Sequence, residues 1–296
     1  MTAEQHPLRG ILLMTAAVLC FALLDATSKH LSQTFPVPML VWARYTFHCL
    51  LMLLFLAPSM RWQLVATRHP VKQVVRALLL VCVTGFAMAA FQRLPLAETT
   101  ALLFITPLIV ALLAGPFLGE RLRPLHWSIS IIGFGGALLI ARPGGAFDLA
   151  GIVLVLAAAA CYSVYQIQTR QLSPTESTLT MLFYTALIGT VSMTLGAPFY
   201  WGGPLPGLTD GLLIASLGLY GGTGHYLLIK AFRYAPATTL SPFLYVQLIW
   251  ATLLGWLAYD HWPDATTLAG MAIIAASSIA LALTQRRPSQ RIESSA

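Results

Sequence analysis

GILLMTAAVLCFALLDATSKHL, residues Gly10–Leu31, is the stretch that decides the fold. About 20 apolar residues carry a helix across a bilayer, and this run is long enough, yet it holds Asp25 and Lys29 in its second half. The stretch returns later in the chain. With Gly10 laid on Gly151, the segment GIVLVLAAAACYSVYQIQTRQL (Gly151–Leu172) matches at Gly10/Gly151, Ile11/Ile152, Cys20/Cys161 and Leu31/Leu172. Chemistry persists between the identities, since Phe21 falls on Tyr162, Asp25 on Gln166 and Lys29 on Arg170. Internal self-similarity in a hydrophobic chain points to two related halves, an organisation common in secondary transporters.

The composition agrees. Of 296 residues, 57% are hydrophobic and 9% charged, against roughly 25% charged in soluble domains, which excludes a water-soluble globule. Backbone amides in hydrocarbon must pair within their own segment, so the apolar runs are read as helices. They are expected at 8–30, 37–57, 74–91, 97–118 and 124–141, then at 149–170, 179–201, 209–231, 237–258 and 265–284. The displacement that aligns the first spans keeps working, with Pro95 on Pro236 and Thr106 on Gln247. Each half holds five spans, an odd number, so the second enters the membrane from the opposite side. The expectation is an all-α membrane protein of ten transmembrane helices, built as two inverted five-helix repeats, 1–148 and 149–285, with a disordered cytoplasmic tail at 286–296.

Lys and Arg set the orientation. With the N-terminus inside, cytoplasmic segments carry thirteen of the 17, from Arg9 through Arg61, Arg68, Lys72 and Arg76 to Arg291, against Lys29, Arg93 and Arg142 outside and Arg44 within a span. Both termini are therefore expected in the cytoplasm, with the chain in the inner membrane. The net charge of +7 belongs to loops beside lipid headgroups, and no nucleic-acid partner is implied. Cys20, Cys49, Cys82 and Cys161 fall inside apolar helices without metal-ligand spacing, and are read as free packing thiols. The first apolar segment is read as a retained span rather than a cleaved signal.

Charge inside a span marks the candidate site. Asp25 and Lys29 are four residues apart and share a helix face; Arg44 and His48 have the same spacing on the second span. At about 1.5 Å per residue, Asp25 and Arg44 lie at similar depth, so they can meet. A charge at the centre of a span costs at least about 2.5 to 3.5 kcal/mol on insertion scales and faces a partner or a watery cavity. Two readings stay open: a structural Asp25–Arg44 bridge with Lys29 reaching the surface, or contact with a solute or a gate. Glu98, at the outer end of the fourth span, can balance the spare positive charge, and Asp25 or Glu98 can couple a proton. Pro107 lies inside the fourth span and leaves the Leu103 carbonyl without a backbone donor. Gln166 takes the place of Asp25 in the second half, and Tyr245 and Gln247 bring polar groups to bilayer depth on the ninth span, with Ser241, Trp250 and Thr252. The seven histidines are scattered without a pair that would serve a metal or a nucleophile. Gly218 with Gly222, Gly133 with Ala137, and Ala272, Ala276 and Ala280 recur at four-residue spacing and read as close helix packing.

LPLAETTALLFITPLIVALLAGPFLGERLRP, residues Leu94–Pro124, resembles the end of the EamA-type repeat of the drug/metabolite transporter superfamily. The marks are a Pro-containing turn, a helix interrupted by Pro107, then Leu118-Gly119-Glu120-Arg121-Leu122 and Pro124 leading into Trp127. The second half departs from the pattern with Tyr259-Asp260 where Gly-Glu is usual. The resemblance implies a secondary transporter moving a small organic metabolite, an amino acid or related compound, by alternating access, without cofactor, metal or catalytic residues. Export is the expected direction; import of a vitamin, a nucleoside-like cofactor or a carboxylate is the alternative within the fold. An intramembrane enzyme is the rival from another class. The expected partners are a small-molecule solute and membrane lipid, with a homodimer left open.

Overall fold

The computed structural model describes residues 7–118, 124–141, 148–172, 174–200, 202, 204–234, 240 and 243–284. Among them there are helices and turns and no strand: α1 (Pro7–Ser32), α2 (Val37–Met60), α3 (Pro70–Phe91), α4 (Leu96–Leu103), α5 (Thr106–Leu118), α6 (Pro124–Ala141), α7 (Leu149–Leu172), α8 (Thr178–Tyr200), α9 (Leu208–Tyr234), α10 (Val246–Tyr259) and α11 (Ala265–Thr284). Six of these, α1, α2, α3, α7, α8 and α9, are long and apolar enough to cross a membrane singly. The remaining apolar helices are shorter, at Leu96–Val110, Trp127–Ile140, Val246–Tyr259 and Ala265–Ala280. With α4 and α5 in line, the count is ten spans. The tail at 286–296, Glu120, Ser241 and Pro242 lie outside the described residues.

The fourth span breaks between α4 and α5, where Phe104 leaves helical geometry at φ −70 and ψ 2. Pro107 occupies the second position of α5, where a missing amide costs little. The Leu103 carbonyl that the proline strands is met by Thr106 Oγ1 at 2.7 Å, so a neighbouring hydroxyl repairs the ladder. A second break was not foreseen. The ninth span, expected as one helix over 237–258, is interrupted at Tyr245, φ −72 and ψ −10, before α10 begins. Phe104 falls on Tyr245 under the repeat displacement, so both halves break at the same place. The two rings touch, centroids 5.0 Å apart at 41°.

Packing obeys the same exchange of halves. α1 lies along α9 as α7 lies along α3; α2 packs on α9 as α8 packs on α3; and α1 meets α10 as α7 meets α5. The pairs α2–α8 and α6–α11 map onto themselves. These contacts between the halves exchange in pairs, as a two-fold axis requires, and an odd number of spans per half puts the axis in the membrane plane.

Small residues permit the closest of these approaches. A methyl group at Gly218 of α9 would lie 2.4 Å from Phe47 Cβ and 2.6 Å from the His48 backbone nitrogen on α2. Neither neighbour is the flexible end of a side chain, so α2 and α9 would have to separate. Gly218→Ala is therefore expected to lower the melting temperature in detergent by several degrees, while Gly85→Ala, with nothing within 4 Å, leaves it unchanged. Equal melting of the two variants would remove this account of the α2–α9 contact. The Ala272 and Ala276 stripe, read from sequence as packing, faces away from the bundle, and α11 uses Gly270, Met271, Ile274 and Ser277 instead.

Two further contacts tie the halves together near the first turns of α3 and α8. The Arg68 amide donates to Glu176 Oε1 at 2.8 Å and Gln73 Nε2 to Oε2 at 3.4 Å. Burial opposes the charge on Glu176, but these donors outweigh it and hold the carboxyl below its ordinary range. Arg76, counted from sequence on the cytoplasmic flank, sits inside α3 with 1% of its surface exposed. Its guanidinium donates to Tyr165 Oη at 3.0 Å, Thr169 Oγ1 at 3.4 Å, Thr185 Oγ1 at 2.9 Å and the Met181 carbonyl.

Candidate functional site: an ionised centre and a sealed end

Asp25 projects from α1 and accepts a hydrogen bond from Gln247 Nε2 of α10 at 3.1 Å. One half thus supplies the carboxylate and the other the amide. Arg44, on α2, donates through Nη1 to Thr84 Oγ1 of α3 at 3.2 Å, and Thr84 in turn contacts Tyr45 Oη at 2.8 Å. The Asp25–Arg44 bridge that sequence depth allowed is not formed. The two groups lie within electrostatic reach without touching, and among the described residues no carboxylate pairs with Arg44. Tyr162 of α7 and His225 of α9 are within reach of the same guanidinium. Asp25, Tyr162 and His225 lie deep among protein atoms yet keep accessible surface.

His48, 7% exposed, is paired after all. Its ring lies parallel to that of His225, 9° apart in plane with centroids at 6.5 Å, and Phe21 meets His225 edge-on at 5.0 Å. The run Gly221-Gly222-Thr223-Gly224 makes this possible. A methyl group at Gly222 would lie 3.2 Å from His48 Cδ2, one at Gly224 2.6 Å from Phe21 Cε1, and one at Gly221 3.8 Å from Arg44 Nε. Three site side chains therefore lie directly on the backbone of α9.

Lys29 takes a different role from the one its spacing suggested. Its ammonium donates to the carbonyls of Phe91 and Leu94, each at 2.8 Å, and lies 5.4 Å from the centre of the Tyr259 ring. Those carbonyls belong to the last residue of α3 and to the turn that follows it, where a cation satisfies orphan acceptors and opposes the helix dipole. Around it polar contacts cross the end of the bundle at which α1 stops. Tyr259 Oη donates to the Ala26 carbonyl at 2.7 Å, Gln92 to the Ser32 carbonyl, and Arg93 pairs with Asp148 at 2.5 Å. Glu98, 2% exposed, meets His261 Nε2 at 2.9 Å. Asp260 arranges that last contact: it ends α10 in the left-handed conformation, φ 50, which turns the chain so that His261 faces α4.

Of the residues expected from sequence, Asp25, Arg44, His48 and Gln247 come together at the centre, while Lys29 and Glu98 gather at the end where α1 stops. Gln166 is half-buried on α7 at the position equivalent to Asp25. Tyr245 packs with Phe104 against the α4–α6–α11 core, on another side from Asp25. Sequence reasoning passed over Phe21, Tyr162 and His225. The repeat alignment held the signal for all three, because it pairs Phe21 with Tyr162 and sets His225 opposite Thr84, the partner of Arg44.

Ten apolar helices in two inverted halves, closing on a charged and accessible centre, define a multi-pass membrane transporter. The chain belongs to the EamA-like transporter family, whose profile matches residues 8–142 and again 149–283. It is similar to the pseudopaline exporter CntI of Pseudomonas aeruginosa, 30% identical over 94% of this chain and 97% of that one. It also resembles an S-adenosylmethionine uptake transporter of Rickettsia bellii, at 26% over 89% of each, and the riboflavin transporter of Vibrio cholerae, at 28% over 98% of each. A crystal structure covering 94% of this chain and 99% of its own superposes with a TM-score of 0.66 at 20% identity, which establishes a shared fold. The protein is thus a transporter of small molecules.

Proposed function

We propose that the protein is a secondary active transporter that moves a small carboxylate-bearing metabolite, an amino acid or a relative of one, out of the cell across the cytoplasmic membrane by alternating access. Arg44 carries the reading. Among the described residues its guanidinium meets only neutral groups, the Thr84 hydroxyl and the Tyr45 ring 5.8 Å away, in a position where a cation costs at least about 2.5 to 3.5 kcal/mol. An anionic solute compensates that cost when it binds. The inverted halves supply the alternation, since exchanging their two conformations reverses the side on which the centre opens. The lysine and arginine bias supports cytoplasmic termini, and on that reading the end bridged by Lys29, Tyr259 and Glu98–His261 is the outer gate, with Asp25 or Glu98 as the proton-coupling carboxylate. The name of the pseudopaline relative favours export; uptake, as the S-adenosylmethionine relative is named, is the second reading.

Purified protein screened by thermal shift against free carboxylates and their methyl esters tests the anchor. A ligand at 100 times its Kd stabilises the folded state by about 2.7 kcal/mol. Stabilisation is expected from acids and not from their esters; the reverse, or equal shifts, removes the carboxylate. Counterflow of a stabilising acid in right-side-out and inside-out vesicles then reads the direction, and flux that does not saturate would indicate a channel.

A further inference from the structure

We infer that the α8–α9 connection is a lipid anchor: Leu205 and its apolar neighbours enter the headgroup layer of the outer leaflet, in place of the protein contact that holds the equivalent connection of the first half.

The contrast between the two connections carries the inference. The α2–α3 connection, residues 61–69, is fastened to the start of α8. Thr180 Oγ1 donates to the Gln63 carbonyl at 3.0 Å, Tyr184 Oη donates to the Val65 carbonyl at 2.9 Å, and Glu176 accepts from the Arg68 amide. Leu64 is thereby held in one apolar cluster with Phe183 and Ala186, with 2% of its surface exposed. The repeat displacement lays Leu64 on Leu205, and Glu176, Thr180 and Tyr184 on Phe35, Met39 and Ala43. Phe35 and Ala43 cannot hydrogen-bond through their side chains, and Met39 offers only a weak thioether acceptor. The fastening of the first half therefore has no chemical counterpart in the second, and Leu205 stands 94% exposed.

The exposed leucine continues a larger apolar surface. Leu195 and Phe199 are exposed one turn apart along the end of α8, and Leu208 and Leu212 one turn apart along the start of α9. Phe199 and Leu208 are also the last and first residues of the two stretches apolar enough to cross a membrane, so Leu205 lies beside hydrocarbon on either flank. All the described residues from 202 to 209 are exposed. Between Glu176 and Asp210 the chain holds no Asp, Glu, Lys, Arg or His, whereas the fastened connection carries Arg61, Arg68 and His69. Pro204 and Pro206 bring no amide hydrogen, which leaves fewer donors to satisfy in a layer poor in water. An exposed apolar patch marks a partner surface, and this one is uncharged and continuous with two spans. The lipid that covers the spans is the partner it fits, and on the orientation proposed above that lipid belongs to the outer leaflet.

Photo-crosslinking tests the anchor. p-Benzoylphenylalanine is placed at Leu205 and, in a separate protein, at Ala66, an exposed residue of the fastened connection. Each protein is reconstituted in vesicles of phosphatidylethanolamine and phosphatidylglycerol, irradiated, and read by intact mass. Adducts of one phospholipid are expected at position 205 in at least about 10-fold higher yield than at position 66, the ratio that burying one large apolar side chain implies. Equal yields at the two positions would show only the probe's own affinity for lipid and overturn the anchor. Covalent dimers in place of lipid adducts overturn it in favour of a contact between copies, and absence of any adduct at 205 places the connection in water and overturns it as well. Leu208→Ser carrying the probe at position 205 is expected to lose most of the lipid adduct, because the neighbouring side chain shares the anchoring; an undiminished yield counts against the inference. None of these outcomes depends on the solute, so the transport reading stands or falls separately.

Discussion

Arg44→Gln is expected to abolish solute counterflow, by at least about 100-fold, while leaving the melting temperature of the purified protein unchanged or raised. Both halves of that expectation come from the same observation. Arg44 makes one hydrogen bond to a neutral hydroxyl and pairs with no carboxylate among the described residues, so removing it breaks no salt bridge there and relieves a cation that the membrane disfavours. A residue kept for folding would behave in the opposite way. Arg44→Lys is expected to restore little, because an ammonium cannot present the planar fork that a carboxylate binds bidentately. Retained counterflow in the glutamine variant, or a loss of stability equal to its loss of function, would sink the role given to Arg44.

Arg76→Met is expected to do the reverse, lowering the melting temperature in detergent by more than about 10 °C. Arg76 is the most buried charged side chain of the described residues and joins α3 to α7 and α8 through four acceptors, with the Tyr165 ring 5.1 Å from its carbon. Hydrogen bonds to a charged group are worth about 1.5 to 3 kcal/mol each in soluble proteins, and about 0.6 kcal/mol on average between membrane helices. Even the lower figure, multiplied by the acceptors, amounts to a few kcal/mol. Thermal unfolding of the methionine variant is the check, and a melting temperature within a degree or two of the parent would show that the network is incidental.

These two arginines show what the sequence made legible and what it did not. Arg44 stood out because it interrupts an apolar run, and the structure keeps it at the centre. Arg76 is six residues from the start of its helix, close enough to the loop to be counted with the charges that set topology, and only the packing of α7 and α8 over it reveals its burial. The inverted repeat was readable from matched residues, and the contact map repeats it. The break at Tyr245 was not, because the sequence cue used for the first break was a proline inside a span, and the second half breaks its helix without a proline at the corresponding position. The partners of Lys29 were hidden for a related reason: helical spacing reports which side chains share a face, but the end of α3 that captures its ammonium lies 62 residues away in the chain. The His48–His225 pair was invisible for the same cause, since nothing local joins α2 to α9.

The contact between Phe104 and Tyr245 has a consequence for how such a chain can change. In an assembly of two separate, identical five-helix subunits, a position lying on the symmetry axis meets its own copy, and any substitution there alters both sides together. Joined in one polypeptide, the two positions are encoded separately, and here one ring has a hydroxyl that its counterpart lacks. The axis is therefore a place where a single substitution can make the two halves unequal without altering the counterpart position.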